Sequence, residues 1–312
     1  MTRQFTCLAG GVGAARFLQG LVELIPAESL TVIVNTGDDI ELHGLHISPD
    51  LDIVMYTLGG IVDEEKGWGI KGDSFHCIQM LQKYGHETWF NLGDMDIATH
   101  IQRTMLLKSG LKLSQVTSQL CHSLGLKVRV LPMTDDRFET RIITDAGDIN
   151  FQEYLVKRCA KDTIVNVAFA GVEKAQPAPD VIDAILNADG IIVCPSNPIV
   201  SIGTILSVKG IRKALKDAPA KVAAISPIVG GAPIKGPADK MMRSLRLEVS
   251  SYAVADLYRD FLDILIIDLK DEGEKSRIEN LGLQTIVTNT IMKNLKDKVQ
   301  LAGVVLDNFE ER

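Results

Sequence analysis

Residues 30–60, LTVIVNTGDDIELHGLHISPDLDIVMYTLGG, decide the fold. They open on Thr31, Val32, Ile33 and Val34, a β-branched run that predicts a buried strand, because parallel strands covered on both faces read as continuous apolar runs. The run breaks into a polar segment carrying Asp38, Asp39, Asp50 and Asp52, with His43 and His46 between them. In open α/β sheets ligands lie outside the carboxyl ends of the strands. Four carboxylates there suit a hard cation and chemistry on phosphate. They equally suit a solvated loop followed by a helix N-cap, where aspartate is common. Ile53 to Leu58 then continues a helix that Gly59-Gly60 stops.

Outward from this stretch the same alternation recurs. Before it, Gln4 to Ala9 predicts a strand that runs into Gly10-Gly11-Val12-Gly13 and a helix over 14–24, with Phe17, Leu18, Leu21 and Leu24 on one face. A strand, a glycine turn and a helix N-terminus can together hold an anion, and glycine lets backbone amides approach phosphate closely. The turn is not a P-loop, since no Gly-Lys-Ser/Thr follows. A dinucleotide fold wants an acidic residue at the end of the second strand, and Asn35-Thr36-Gly37 stands there instead, which disfavours a nicotinamide-dependent oxidoreductase. After residue 163 come strands at 164–169, 190–194, 221–226, 262–268 and 283–287, with helices between them. The expected fold class is α/β, a Rossmann-like, doubly wound, mostly parallel sheet.

Residues 61–160 change character. Asp73 is expected to cap a helix through Tyr84, Asp94 or Asp96 to begin another reaching Lys108, and Ser114 to cap a third. Strand-like pieces follow at 127–131 and 140–144. The expected organisation is a nucleotide-binding core over 1–60 and 161–312 with an inserted, mainly helical lobe over 61–160. The lobe holds both tryptophans, Trp68 and Trp89, for which core packing is the simpler assignment. Two strand ends after the lobe add polar loops. Pro195-Ser196-Asn197-Pro198 offers a hydroxyl and an amide to a base or ribose, or is only an Asn-Pro turn. Lys235 stands in SPIVGGAPIKGP at 226–237 just before a helix, as a phosphate partner or as a solvated lysine.

Composition excludes several classes. The chain has 312 residues, 46% hydrophobic, and a net charge of −7 with no basic run, which argues against a nucleic-acid partner. No apolar run approaches the ~18 residues of a membrane span, and glycines and Arg16 interrupt the N-terminal apolar stretch, against a signal peptide. Cys7, Cys77, Cys121, Cys159 and Cys194 are odd in number and lack a CxxC pair. That points to reduced thiols and a cytoplasmic location.

Taken together, Gly10 to Gly13, NTGDD at 35–39, HGLHISPDLD at 43–52, MYTLGG at 55–60, PSNP at 195–198 and SPIVGGAPIKGP at 226–237 resemble the 2-phospho-L-lactate transferase family of coenzyme F-420 biosynthesis. The likeness spans most of the chain in the same order. It implies a Rossmann-like, magnesium-dependent enzyme that joins a phospholactyl group from lactyl-2-diphospho-5′-guanosine (LPPG) to the deazaflavin Fo and releases GMP. On this resemblance Mg²⁺ is held by Asp38, Asp39, Asp50 and Asp52, and Asp50 and Asp39 are catalytic, with Asp50 at the Fo site. The diphosphate lies on Gly10, Gly11 and Gly13 with Lys235. Ser196 and Asn197 touch the guanosine half, Trp89 stacks on the deazaflavin, and the protein is a homodimer. A related branch, the gluconeogenesis-factor proteins, binds nucleotide sugars without this transfer. That branch continues its DD pair into a Gly/Ser-rich run, whereas Ile40-Glu41-Leu42 stands here.

Overall fold

The computed structural model describes residues 2–309. Seven strands form the central sheet: β1 (Phe5–Ala9), β2 (Leu30–Val34), β3 (Arg129–Pro132), β4 (Gly190–Val193), β5 (Val222–Ile225), β6 (Ile264–Asp268) and β7 (Gln284–Thr288). All neighbours are parallel, in the order β7-β6-β5-β4-β1-β2-β3. The order reverses between β1 and β4, which makes that edge the switch point where such sheets bind ligands.

Alternation along the strands explains the two-sided burial. Leu8, Ile33, Ile191, Val193, Val222 and Leu265 enter one apolar cluster, while Cys7, Val32, Ile192, Ala223 and Ile266 enter the other. With both faces apolar, helices must cover both. The helices that concern the site are α1 (Gly11–Leu21), α2 (Pro49–Leu58), α3 (His76–Lys83), α4 (Asp94–Lys108) and α5 (Leu113–Ser123). α1 and α2 cover the second face through Phe17, Leu18, Leu51 and Val54, joined by Leu301 and Val305 of the C-terminal helix Leu295–Asp307.

The structure differs from the sequence reading in several places. β3 lies at 129–132, so the main sheet takes its edge strand from within the stretch expected as a helical lobe. Ile164–Ala170 does not join the parallel sheet. It pairs antiparallel with Glu139–Thr144, which also pairs with Gly147–Asn150. Its middle is half-exposed and carries Asn166, so it cannot sit in a sheet buried on both faces. Asp73 does not cap α3. It accepts from the Met95 and Asp96 amides at the start of α4, while Asp94 accepts from the His76 and Cys77 amides at the start of α3. Each aspartate thus caps the other's helix, because the two N-termini lie side by side. Among the described residues no helix is long and apolar enough to cross a membrane.

Candidate active site

β1 and β2 run in register from Phe5 opposite Leu30 to Ala9 opposite Val34, and Leu8 lies opposite Val193 of β4. The three loops that leave these ends therefore meet at one level. Gly11 begins α1 with φ +73°, a conformation that favours glycine. At Gly10 the backbone is extended, and the constraint is space: a Cβ there would lie 2.7 Å from Ser201 Cβ and 2.8 Å from Asp50 Oδ2. A Cβ on Gly13 would run into the Pro195 carbonyl oxygen. These two glycines let the first turn of α1 lie against the loop after β4 and against Asp50.

Asp50 stands at the start of α2, behind Pro49. Its Oδ2 accepts from Asn35 Nδ2 at 2.9 Å, and the Gly11 amide donates to the same carboxylate. Asn35 in turn accepts the Gly37 amide at 2.9 Å and bends the loop that carries Asp38 and Asp39. Asp39 Oδ2 accepts from Ser48 Oγ at 2.7 Å and lies 2.9 Å from His46 Nε2. Asp38 is buried against Thr140 and Asn35, yet its Oδ1 has no donor, and neither has Asp39 Oδ1.

Burial dominates the electrostatics. It pushes the Asp50 carboxyl up to about 6, and Asp39 and Asp52 nearby add to the rise. Burial also drives Asp38 well above the ordinary carboxylate range, reinforced by the charge of Asp50. Asp39 is raised for the same reason, with His46 opposing. Three carboxylates, buried or nearly so, with two donorless oxygens are costly unless a cation or protons compensate.

The expected four-aspartate set divides here. Asp38, Asp39 and Asp50 are neighbours, but they do not converge tightly enough for one ion to touch all three. Asp52 does not join them. Arg103 of α4 grips both its oxygens, with Nη1 at 3.2 Å from Oδ2. Two residues along a helix is about 200° of rotation, so Asp50 and Asp52 face different ways. Among the described residues the one three-ligand grouping close enough to hold an ion is Asp52, Asp96 and His100, and it already contains the Arg103 cation.

The other expected residues fall in different places. Ser196 Oγ accepts the Gly10 amide at 3.2 Å, so it shapes the glycine turn. Asn197 Oδ1 accepts from the Ile199 and Val200 amides, which uses its side chain within its own loop. Lys235 is exposed and reaches over the glycine turn, its Nζ 3.4 Å from where a Cβ on Gly67 would stand. Partial desolvation of its ammonium, with Arg16 adding like charge, lowers its pKa. Trp89 is half-exposed, packs edge-on against Phe90 and lies under Lys157.

This geometry now meets known proteins. A family model described as 2-phospho-L-lactate transferase CofD matches residues 5–301. The chain belongs to that family. It is 46% identical over 310 residues to the phosphoenolpyruvate transferase of Streptomyces coelicolor, covering 97% of each chain. It is 42% identical over 315 residues to the 2-phospho-L-lactate transferase of Methanopyrus kandleri, covering 100% of this chain and 99% of that one. Among solved structures, a UPF0052-family protein of Bacillus halodurans matches with a TM-score of 0.66 at 16% identity, over 98% of this chain and 99% of that one, which supports the fold.

Two cations of this family member escaped the sequence reading. Arg16 sits one turn into α1 on the same side as Val12, next to Lys235. Its position four residues after Val12 was the available signal. Arg103 gave a weaker one, since a lone arginine in a helix is usually solvated.

Proposed function

We propose that this protein transfers a phospholactyl-type group from a guanosine diphosphate-linked donor such as LPPG to the ribityl hydroxyl of Fo. The carrying observation is the trio Asp38, Asp39 and Asp50, buried or nearly so without enough positive charge at the sheet's switch point, with Asp50 packed against the glycine turn. Family membership and relatives named as phospholactate and phosphoenolpyruvate transferases support the reaction class.

In this reading the ribityl oxygen attacks the phosphorus that bears the lactyl group through its 2-oxygen, and its proton passes to Asp50, with Asp39 beside it. The bond from that phosphorus to the bridging oxygen breaks, and GMP leaves with the oxygen. Such transfers need positioning and charge neutralisation more than covalent help. Gly10, Gly11 and Gly13, with Lys235 and Arg16, would face the diphosphate, Ser196 and Asn197 the guanosine side, and Trp89 the deazaflavin.

The donorless oxygens of Asp38 and Asp39 fit Mg²⁺, which typically takes one or two carboxylates and completes its shell with phosphate oxygens and water. Asp38 and Asp39 would hold it through those oxygens, with Asp50 left beside them for the acceptor hydroxyl. Bound there, it would neutralise charge on the diphosphate.

A homodimer is part of the proposal. The outer face of α4 exposes Met95, Ala98, Ile101 and Met105 with no charged residue between them, which suits a second copy of a net-negative chain. Reduced thiols at all five cysteines accord with the cytoplasm.

The test is GMP release from LPPG and its enolpyruvyl analogue, with and without Fo and Mg²⁺. Fo-dependent GMP release carries the proposal, and the faster donor names the three-carbon group that is transferred. No release from either donor overturns it in favour of nucleotide binding alone.

A further inference from the structure

Arg103 is the largest side chain that the described fold encloses completely. It projects from α4 onto Asp52 of α2 with both terminal nitrogens, and Nη1 also lies 3.2 Å from His100 Nδ1. His100 Nε2 is 3.3 Å from Asp96 Oδ1, which accepts the Tyr56 hydroxyl at 2.7 Å. The chain of contacts leaves α2 at Asp52, crosses α4 and returns to α2 at Tyr56, so the helix is fastened at two levels.

The upper fastening lies at the reaction site. Asp52 is two residues from Asp50 on the first turns of α2, and its amide bonds to the Ser48 carbonyl. Ser48 Oγ holds Asp39. Arg103 is also near enough to act electrostatically on Asp39. Asp38, Asp39, Asp50, Asp52 and Asp96 are all buried or nearly so, and this guanidinium is the fixed positive charge set among them.

We propose that Arg103 is a positioning residue: through Asp52 it fixes the first turn of α2 and thereby holds Asp50 against Gly11 and Asn35. Its consequence for turnover rests on the transferase reading above; its consequence for α2 does not. A forked guanidinium suits this task because it sets direction as well as charge, which an ammonium cannot.

Replacing Arg103 alone would leave Asp52 buried without a partner and threaten folding. The decisive variant is therefore Asp52→Leu with Arg103→Met, which removes both charges and keeps apolar bulk, an exchange that often preserves stability. Amide exchange by mass spectrometry over residues 49–53 is read against the C-terminal helix Leu295–Asp307, which packs on α1. Exchange over 49–53 is expected to rise about tenfold relative to that helix. With LPPG and Fo, kcat is expected to fall about tenfold or more while KM for the guanosine donor stays within about threefold. Arg103→Lys should fall between wild type and the double variant. Unchanged exchange over 49–53, or an equal rise in both regions, overturns the proposal, as does wild-type kcat in the double variant. Wild-type protein that releases no GMP would overturn the transferase reading, and the exchange comparison would still decide the role of Arg103.

Discussion

Asp50→Asn is expected to make the metal-free protein more stable at neutral pH while it disables turnover. Asp50 is 7% exposed, and burial raises its carboxyl from 3.8 to about 6 despite the Asn35 and Gly11 donors. In the unfolded chain the group titrates near 3.9. Between about pH 4 and pH 6 the native state therefore keeps a proton that the unfolded state has lost. Stability falls as pH rises through that window and levels off above it. Two pH units at about 1.36 kcal/mol each make this cost about 3 kcal/mol. Asparagine never ionises and escapes it, but an amide offers one oxygen where the carboxylate offers two to Asn35 and Gly11, which costs about 1 kcal/mol. The variant should thus gain about 2 kcal/mol near pH 7.5 and lose about 1 kcal/mol near pH 4. Urea unfolding in EDTA at both pH values measures the difference, and GMP release should slow by about 10²-fold or more. A variant equally shifted at both pH values would refute the buried-charge account, because only an ionising group produces the dependence.

Other perturbations separate the parts of the site. Gly10→Ala places a Cβ 2.8 Å from Asp50 Oδ2, in a backbone conformation open to any residue, so its cost is steric: about 1–3 kcal/mol in a denaturation series. Ser201→Gly in the same chain should recover part of it, since Ser201 Cβ is the nearest obstacle at 2.7 Å. Lys235→Ala and Arg16→Ala should each weaken calorimetric binding of the guanosine donor about tenfold at low salt and less at high salt, as partly exposed charges do. Trp89→Ala should weaken Fo binding, read from deazaflavin fluorescence, by about 1 kcal/mol if its ring stacks on the ligand. An unchanged affinity would assign that ring to the Phe90 and Lys157 contacts alone.

The sheet was legible where strands are apolar on both faces. FTCLA, LTVIV, GIIV, VAAI and ILIID need no neighbours to be read as buried strands, and the loops at three of their ends already displayed Gly10–Gly13, NTGDD and PSNP. What these runs cannot encode is their order, because strand order is set by which helix faces pack together. The reversal between β1 and β4, which brings those three loops to one level, therefore belongs to the tertiary structure. β3 was harder to place, because an edge strand of four residues beginning with an exposed arginine lacks the two-sided signature.

The limit is sharpest in α4, whose inner face is largely polar. Asp96, His100, Arg103 and Thr104 point inward beside Ile97, while Met95, Ala98, Ile101 and Met105 point outward. A periodicity argument sends the apolar stripe to the core, since that is where burial stabilises it. Here the inward polar stripe is satisfied from α2: Asp52 meets Arg103, and Tyr56 meets Asp96. In the sequence, Asp52 looks like a twin of Asp50, because two aspartates in PDLD have the same chemistry and only the helical rotation parts them. On its inner face α4 holds the neighbour of Asp50 through Arg103, and its apolar residues Met95, Ala98, Ile101 and Met105 are left on the outside. The same helix thus accounts for the aspartate that left the expected cation set and carries the apolar surface on which the proposed second copy would sit.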